Sequence, residues 1–234
     1  MSASVHVNLD ALVFDAYGTL FNVHSVVTEC ERIFPGNGQA LSQLWRSKQL
    51  EYSWLRSLMG RYVSFNQVTA ESLEFACRAL GLPCAEATQI ALNAAYRTLR
   101  PFDDAVHALA RLGKTHKQCK LAILSNGAPE MLNAVVKHNR FDDFLDEVLS
   151  VDAIGIFKPD PRVYQLAEDR LQIARSHIGF VSSNGWDAAG AKAFGFTVFW
   201  VNRAGAPVDQ LGVAPDYILS SLRELPDLLN TVVK

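Results

Sequence analysis

Short apolar runs recur along this chain at residues 9–14, 120–124, 178–181 and 197–201, and a weaker one lies at 147–151. Such runs are typical of strands that are buried on both faces of a parallel sheet. Segments with the apolar spacing of an amphipathic helix lie between the later runs, at 103–112, 131–138, 163–171 and 186–194. Strands that alternate with helices predict parallel pairing and an α/β fold with a three-layer, Rossmann-like core.

Helical spacing alone dominates between the first strand and residue 99. Helices are expected at 24–34, 40–59, 66–80 and 84–99. A Pro-Gly-Asn-Gly cluster at 35–38 separates the first two helices, and polar residues 69–72 are placed at the start of the third. Four helices inserted directly after the first strand predict a helical cap subdomain at residues 22–98. The catalytic core then comprises residues 1–21 and 99–234.

Composition narrows the function classes. The chain has 234 residues, of which 49% are apolar, enough for one large core with an insertion. A formal net charge of −2 gives no basic surface for nucleic acid. The four cysteines form no CxxC pair, so neither a zinc site nor a disulfide framework is expected. Residues 1–21 lack a basic start and a long apolar core, so we predict no secretory signal, no membrane span and a cytoplasmic protein.

Candidate chemistry lies at the ends of the predicted strands. Asp15 ends the first run, and Gly18 permits a sharp turn after it. A carboxylate at this edge of a parallel sheet lies where ligands bind and can act as a nucleophile, but it can equally cap a turn. Ser125-Asn126-Gly127 likewise reads as an anion-binding turn or as a helix cap. Lys158 and Tyr164, taken alone, are typical of a surface lysine and a packing tyrosine.

Residues 12–21 resemble the first motif of the haloacid dehalogenase superfamily, in which Asp opens a D-x-D-x-T pattern as the nucleophile. Asp15 and Thr19 match that motif. Tyr17 stands where phosphatases of the superfamily carry a second Asp, which acts as general acid and base on the leaving alcohol. A halide leaving group needs no proton, so this departure fits carbon–halogen cleavage. The Asp-x-Tyr-Gly-Thr form is the one seen in L-2-haloacid dehalogenases.

Three later stretches are similar to the remaining superfamily motifs. Ser125 matches the second motif, and Lys158 matches the third, whose lysine holds the negative charge of the nucleophile. At residues 182–187, metal-dependent relatives carry an acidic cluster, whereas this chain has mostly serine and asparagine there and keeps only Asp187. Magnesium usually binds through carboxylates together with substrate phosphate. The resemblance therefore implies neither a metal nor another cofactor.

The predicted cap carries a further match, because residues 45–61 closely resemble the cap of the haloacid dehalogenases. There the arginine that corresponds to Arg46 receives the halide. By the same resemblance, Leu50, Phe65 and Trp186 wall the carbon chain of the substrate, and Tyr17 also lines its site. Without the resemblance, Arg46 is typical of an exposed helix residue, and Leu50, Phe65 and Trp186 are typical of an ordinary apolar core.

The resemblance covers nearly the whole chain and implies a two-step hydrolysis of a small 2-haloacid. Ionised Asp15 attacks the α-carbon, halide leaves toward Arg46, and water hydrolyses the ester to the inverted D-2-hydroxy acid. The resemblance also implies roles for the other residues. Lys158 and Ser182 hold Asp15, and Ser125 and Asn126 bind the substrate carboxylate. Asn184 and Asp187 orient water and Lys158, Thr19 supports the nucleophile loop, and Tyr164 serves either step. A homodimer is implied as well.

Two other hypotheses stay open at this point. A metal-dependent phosphatase of the same superfamily would share the fold and Asp15, and Tyr17 and residues 182–184 distinguish it. A non-catalytic interaction protein would keep the scaffold and lose at least one of Asp15, Lys158 and Arg46, all of which are present.

Overall fold

The computed structural model describes residues 9–116 and 118–232 of the chain. The parts of the core prediction that concern residues 1–8, 117, 233 and 234 lie outside the described residues. Within them, the strands form one parallel sheet in the order β3-β2-β1-β4-β5-β6. The strands are β1 (Ala11–Phe14), β2 (Lys120–Ser125), β3 (Glu147–Ser150), β4 (Ile178–Ser182), β5 (Thr197–Val201) and β6 (Tyr217–Leu219).

The first strand lies in the middle of the sheet. Phe14 is opposite Ile123 of β2 on one side and Val181 of β4 on the other. The chain winds outward from β1 to β2 and β3, crosses back to β4, and then continues outward to β5 and β6. The carboxyl ends of strands beside such a reversal form the ligand crevice of α/β sheets. All residues of β1 are buried, which explains its unbroken apolar run.

Helices cover the sheet on both faces. They are α5 (Asp103–Thr115), α6 (Pro129–His138), α7 (Pro161–Leu171), α8 (Gly185–Phe194) and α9 (Leu225–Val232). Helix α5 packs against α9, and α7 packs against α8. Because the crossovers from β1 to β2 and from β3 to β4 run in opposite directions, right-handed connections place α5 and α7 on opposite faces. The predicted three-layer α/β architecture is confirmed.

Between β1 and α5 the chain forms α1 (Val26–Ile33), α2 (Gly38–Leu58), α3 (Phe65–Ala79) and α4 (Glu86–Ala95), which pack on one another. Helix α2 buries Leu41, Trp45, Gln49 and Ser53, a stripe with four-residue spacing, and its main partner is α3. The helices are those expected of a cap, and the division at residues 22–98 stays a prediction. No helix within the described ranges is both long and apolar enough to span a membrane.

Helix ends differ from the sequence prediction by up to four residues, and two of the differences have a clear cause. Helix α3 begins at Phe65 because the Ser64 side chain caps it, accepting the Gln67 N–H at 3.3 Å. Residues 69–72 are therefore inside the helix and not at its start. Helix α4 ends at Ala95 instead of residue 99, since the following N–H groups bond three residues back, as Tyr96 does to the Asn93 carbonyl. Strand β6 and helix α9 were not predicted.

Candidate active site

Asp15 directly follows β1 and is only 5% exposed. Its N–H donates to the Val181 carbonyl oxygen at 2.9 Å, so the sheet fixes the origin of the side chain. Carboxylate oxygen Oδ2 accepts two hydrogen bonds, from the Thr19 hydroxyl at 2.9 Å and from Asn184 Nδ2 at 2.8 Å. The other oxygen, Oδ1, accepts one from Lys158 Nζ at 3.2 Å. The two oxygens of Asp15 are therefore inequivalent.

The loop after Asp15 is held against the loop after β4. Gly18 has a φ of +93°, a region that favours glycine. The Asn184 side chain also donates to the Tyr17 carbonyl oxygen at 3.2 Å. The Thr19 hydroxyl oxygen accepts the Ser183 N–H at 2.8 Å while its hydrogen goes to Asp15. The Thr19 hydroxyl thus joins the loops that follow β1 and β4.

Arg203 supports the same loop, although no sequence motif predicts this role. Its guanidinium donates to the Thr19 carbonyl oxygen at 3.0 Å and to the Ser183 hydroxyl at 2.8 Å. It also forms a two-pronged pair with Asp104, with N–O distances of 2.9 and 2.8 Å, and covers the Phe102 ring at 4.0 Å. No motif contains this arginine, and its partner Asp104 is 99 residues away along the chain. Neither spacing nor composition could have revealed it.

Lys158 lies between two carboxylates and is 1% exposed. Its Nζ is 3.2 Å from Asp15 Oδ1 and 2.9 Å from Asp187 Oδ2. Burial disfavours the ammonium, but the charges of Asp15 and Asp187 outweigh burial and raise the pKa of Lys158 above its ordinary value. The Lys158 N–H donates to Asn126 Oδ1 at 2.9 Å, which fixes the backbone. Lys158 is a buried cation, not the surface residue that an isolated lysine suggests.

Asp187 is fully buried and accepts hydrogen bonds on both oxygens. The Tyr164 hydroxyl donates to Oδ1 at 2.8 Å, and the Ser182 hydroxyl donates to Oδ2 at 3.0 Å. Burial raises the pKa of Asp187 to about 6; Lys158 acts against this shift and the charge of Asp15 adds to it. Burial, followed by the charge of Asp187, raises the pKa of Tyr164 well above its ordinary value, so Tyr164 is a neutral donor.

The structure corrects the expected contact of Ser182. Its hydroxyl hydrogen goes to Asp187 at 3.0 Å and its oxygen accepts the Asn184 N–H at 3.2 Å, so it does not hold Asp15 directly. The physical reason is that the first turn of α8 brings Asp187 next to the end of β4. Ser182 therefore acts on Asp15 only through Asp187 and Lys158.

The end of β2 supplies hydrogen-bond donors to the site. The Ser125 hydroxyl oxygen accepts the Gly127 N–H at 3.1 Å, which leaves its hydrogen for another partner. The side-chain oxygen Oδ1 of Asn126 accepts the backbone N–H of Lys158, so the side-chain NH₂ group of Asn126 points away from Lys158. Gly127 must be glycine, because a Cβ there would lie 2.6 Å from a ring carbon of Tyr17. Ser125 and Asn126 are placed to bind an anion with neutral donors.

One small cavity lies between the core and the cap helices, with about 260 Å³ of empty space, its open mouth included. Among the predicted site residues, it is lined by Asp15, Tyr17, Arg46, Leu50, Phe65, Ser125, Asn126, Asn184 and Trp186. The predicted residues Thr19, Lys158, Tyr164, Ser182 and Asp187 form the hydrogen-bonded support behind Asp15.

Tyr17 places a neutral phenol in this cavity. Burial, followed by the charge of Tyr96, raises the pKa of Tyr17 far above its ordinary value. The ring stacks on Phe65 with centroids 6.1 Å apart, and the buried hydroxyl has no hydrogen-bond partner among residues 9–116 and 118–232. Tyr17 is therefore not an acid–base group at neutral pH. In the same ranges, no three His, Cys, Asp or Glu side chains cluster to hold a metal.

Comparisons with known proteins agree with this geometry. The family model described as haloacid dehalogenase-like hydrolase matches residues 9–195. The chain is 50% identical to the (S)-2-haloacid dehalogenase of Pseudomonas sp. (strain YL), over 95% of each chain. It is 49% identical to (S)-2-haloacid dehalogenase H-109 of Pseudomonas putida, over 94% of this chain and 98% of that one.

A solved structure is similar over the whole fold. It is the L-2-haloacid dehalogenase from Xanthobacter autotrophicus with chloropropionic acid covalently bound, which is 43% identical. The alignment covers 95% of this chain and 98% of that one, with a TM-score of 0.88. With a family model over most of the chain and relatives at about half identity over nearly their full length, this chain belongs to the haloacid dehalogenase-like hydrolases and, within them, to the L-2-haloacid dehalogenases.

Proposed function

We propose that this enzyme hydrolyses short-chain L-2-haloalkanoic acids to D-2-hydroxy acids through an ester on Asp15, with inversion at the α-carbon. The observation that carries the proposal is that Asp15 and Arg46 line one small cavity, a nucleophile from the core and a cation from the cap. The covalently bound chloropropionic acid in the relative from Xanthobacter autotrophicus supports a covalent intermediate.

The first step is displacement of halide by a carboxylate oxygen. Oδ2 of Asp15 accepts from both Thr19 and Asn184, whereas among the described residues Oδ1 accepts from Lys158 alone. Oδ1 therefore has the less occupied lone pairs, and we assign the attack to this atom. Its lone pair forms the bond to the α-carbon as the carbon–halogen bond breaks, and the halide leaves with the bonding pair toward Arg46. A guanidinium is a weakly hydrated cation with several donors, which suits a departing anion.

The substrate carboxylate binds at the end of β2. Ser125 and Asn126 offer an O–H and amide N–H groups that the protein does not otherwise use there. Neutral donors hold the carboxylate without drawing charge away from Asp15. Tyr17, Leu50, Phe65 and Trp186 enclose the carbon chain, and their bulk limits its length.

The second step is attack of water on the carbonyl carbon of the ester. If Oδ1 carries the substrate, Oδ2 becomes the carbonyl oxygen, and the donors from Thr19 and Asn184 form the oxyanion hole. Lys158, which lies 3.2 Å from Oδ1, donates a proton to the departing hydroxy-acid oxygen. Esterification removes the charge of Asp15, which had raised the pKa of Asp187 and of Lys158. The pKa of each group falls as a result, so Lys158 becomes a better proton donor to the departing oxygen. Of the two protons that the attacking water gives up, one restores Lys158 and the other passes to solvent.

Halide release separates this proposal from the phosphatase alternative. We expect chloride release from L-2-chloropropionate, none from the D enantiomer, and no hydrolysis of p-nitrophenyl phosphate with or without magnesium. Hydrolysis of the phosphate ester without halide release would overturn the proposal in favour of the phosphatase.

Oxygen labelling separates ester formation from direct attack by water. In a single turnover in heavy-oxygen water with enzyme in excess, the new hydroxyl of the product should be unlabelled and the peptide containing Asp15 labelled. A labelled hydroxyl with an unlabelled peptide would show that Asp15 acts as a base.

We also propose a cap at residues 22–98, a homodimer and a cytoplasmic location. The four packed helices α1 to α4 support the cap. Exposed Leu58 and Met59 at the end of α2 support a contact between subunits. Free cysteines support a reducing compartment. Light scattering after size exclusion tests the dimer, and a monomeric mass at micromolar concentration would contradict it.

A further inference from the structure

Arg46 is held by a neutral chain of hydrogen bonds that the mechanism above does not use. Arg46 Nη1 donates to Gln49 Oε1 at 2.7 Å, one turn further along α2. Gln49 Nε2 donates to the Thr69 hydroxyl at 2.8 Å, and Thr69 donates its hydrogen to the Phe65 carbonyl oxygen at 2.6 Å. Gln49 and Thr69 are completely buried. This series of hydrogen bonds therefore leads from the Arg46 cation at the cavity into the interface between α2 and α3.

The direction of this chain fixes how the Gln49 amide is oriented. The Thr69 hydroxyl has a single hydrogen, and that hydrogen goes to Phe65. The Thr69 oxygen can therefore only accept from Gln49, which places the amide nitrogen of Gln49 toward α3. The amide oxygen then faces Arg46. The Trp45 indole N–H, which donates to the Thr69 carbonyl oxygen at 2.8 Å, holds the same turn of α3.

We propose that Gln49 is the positioning residue for Arg46 in halide departure and that Thr69 sets the orientation of Gln49. This deepens the proposed function and rests on it. A carboxylate at position 49 would also orient the guanidinium, but its negative charge would cancel the cation and repel the departing halide. A buried amide fixes the geometry and leaves the full positive charge for the anion. Consistent with this, Arg46 has no ion-pair partner within residues 9–116 and 118–232.

The same chain ties the cation to a wall of the cavity. Phe65 and Thr69 are four residues apart on α3, and the Phe65 ring lines the cavity. Arg46 and Phe65 are therefore set at a fixed separation through Gln49 and Thr69. We infer that this chain contributes to the rate of halide departure and less to the binding of the carboxylate end, which contacts Ser125 and Asn126.

The test compares four variants of the full-length enzyme. Gln49→Met keeps the length and removes both polar ends, and Gln49→Glu adds a charge. Thr69→Val removes the hydroxyl, whereas Thr69→Ser keeps it and is the matched control. We expect both Gln49 variants to lose about tenfold to a hundredfold in kcat on L-2-chloropropionate, the typical effect of a misplaced catalytic group. KM should change by less than about threefold, and Thr69→Ser should retain nearly normal turnover.

The leaving group provides a readout that misfolding would not change. Chloride is a poorer leaving group than bromide, so losing the position of Arg46 should slow the chloro substrate more than the bromo substrate. The ratio of kcat values for 2-bromo- and 2-chloropropionate should rise in Gln49→Met and Thr69→Val and stay constant in Thr69→Ser. A smaller folded fraction would lower both rates equally and leave the ratio unchanged.

The outcomes are separable from those of the proposed function. An inactive wild-type enzyme would overturn the function itself. An active wild type with normal kcat and an unchanged bromo-to-chloro ratio in Gln49→Met and Gln49→Glu would overturn the positioning role alone. If Gln49→Met does not fold, the pair Thr69→Val and Thr69→Ser decides the question by the same ratio.

Discussion

Replacing Lys158 with methionine tests the charge arrangement at the centre of the site. Methionine is similar in length and uncharged, so Asp15 and Asp187 lose the cation that lies 3.2 and 2.9 Å from their oxygens. Removing one partner of a buried ion pair typically costs about 3–5 kcal/mol. We expect a loss of that size in the free energy of unfolding at pH 8. Halide release should fall by about a hundredfold or more, because Lys158 no longer positions Oδ1 and the departing hydroxy-acid oxygen loses its proton donor.

The loss of stability should grow with pH, and Asp187 sets the sign. Burial raises its pKa in the folded enzyme to about 6, from an ordinary value of 3.8. A carboxyl whose pKa is raised on folding contributes stability that is present below the unfolded pKa and lost as pH rises through the folded pKa. The charge of Lys158 lowers this pKa, so it rises further in Lys158→Met. The penalty is therefore smaller at about pH 5, where Asp187 is largely protonated in both proteins, than at about pH 8.

Urea unfolding at the two pH values, followed by tryptophan fluorescence, measures the effect, and halide release is assayed in parallel. Lys192→Met is the matched control, because Lys192 pairs with Asp216 at 2.6 Å near the surface, where such pairs contribute at most about 1 kcal/mol. Lys158→Met/Asp187→Asn should recover part of the stability, about 0.5–3 kcal/mol, and none of the activity. A loss below about 1 kcal/mol, or one independent of pH, would refute the reasoning.

The remaining predictions concern acid pH, metal and the nucleophile loop. Turnover should fall on acidification with an apparent pKa near 6, because protonated Asp187 no longer holds Lys158. Tyr164→Phe removes a hydrogen bond that lowers the pKa of Asp187, so this variant should lose kcat at a higher pH than the wild type. An unchanged pH dependence of kcat in Tyr164→Phe would contradict the assignment to Asp187. Halide release should survive dialysis against EDTA, and activity that only magnesium restores would revive the phosphatase. Arg203→Lys should lower kcat about tenfold by loosening the Thr19 loop. Arg140→Lys is the control and should not lower kcat, because the Arg140 side chain is 85% exposed. Equal activity of the two variants would mean that the contacts of Arg203 do not contribute to catalysis.

The sheet was largely predictable because its strands are buried on both faces. Strand β1 was found within two residues, since nothing polar interrupts Ala11–Phe14. Strand β6 was missed because it has three residues, at the edge of the sheet, and its central Ile218 is 53% exposed. The end of α4 was placed too late because residues 96–98 continue with tight turns that apolar spacing does not distinguish from a helix.

Site residues were predictable only where a strand ends or a motif marks them. Parallel strands bring their carboxyl ends to one edge, so Asp15, Ser125 and Ser182 were expected near one another. Gln49 and Arg203 were not found, because a glutamine in a helix and an arginine in a loop usually face solvent. Their partners lie 20 and 99 residues away in the sequence. Only the packing of α2 on α3, and of the β5 loop on α5, creates these contacts.

The separation of the two cations follows from the charges that the reaction must handle. At the core, Lys158 is shared by Asp15 and Asp187, so this cluster keeps one net negative charge and would repel a halide ion. If Lys158 moved to receive the halide, Asp15 and Asp187 would be two buried carboxylates without a cation between them. A second cation must therefore lie on the opposite side of the α-carbon, where the leaving group departs in an inverting displacement. Arg46 on the cap meets that requirement, and its neutral partner Gln49 leaves its charge available. The core supplies the nucleophile and the cap receives the leaving group, so neither element alone can catalyse the first step.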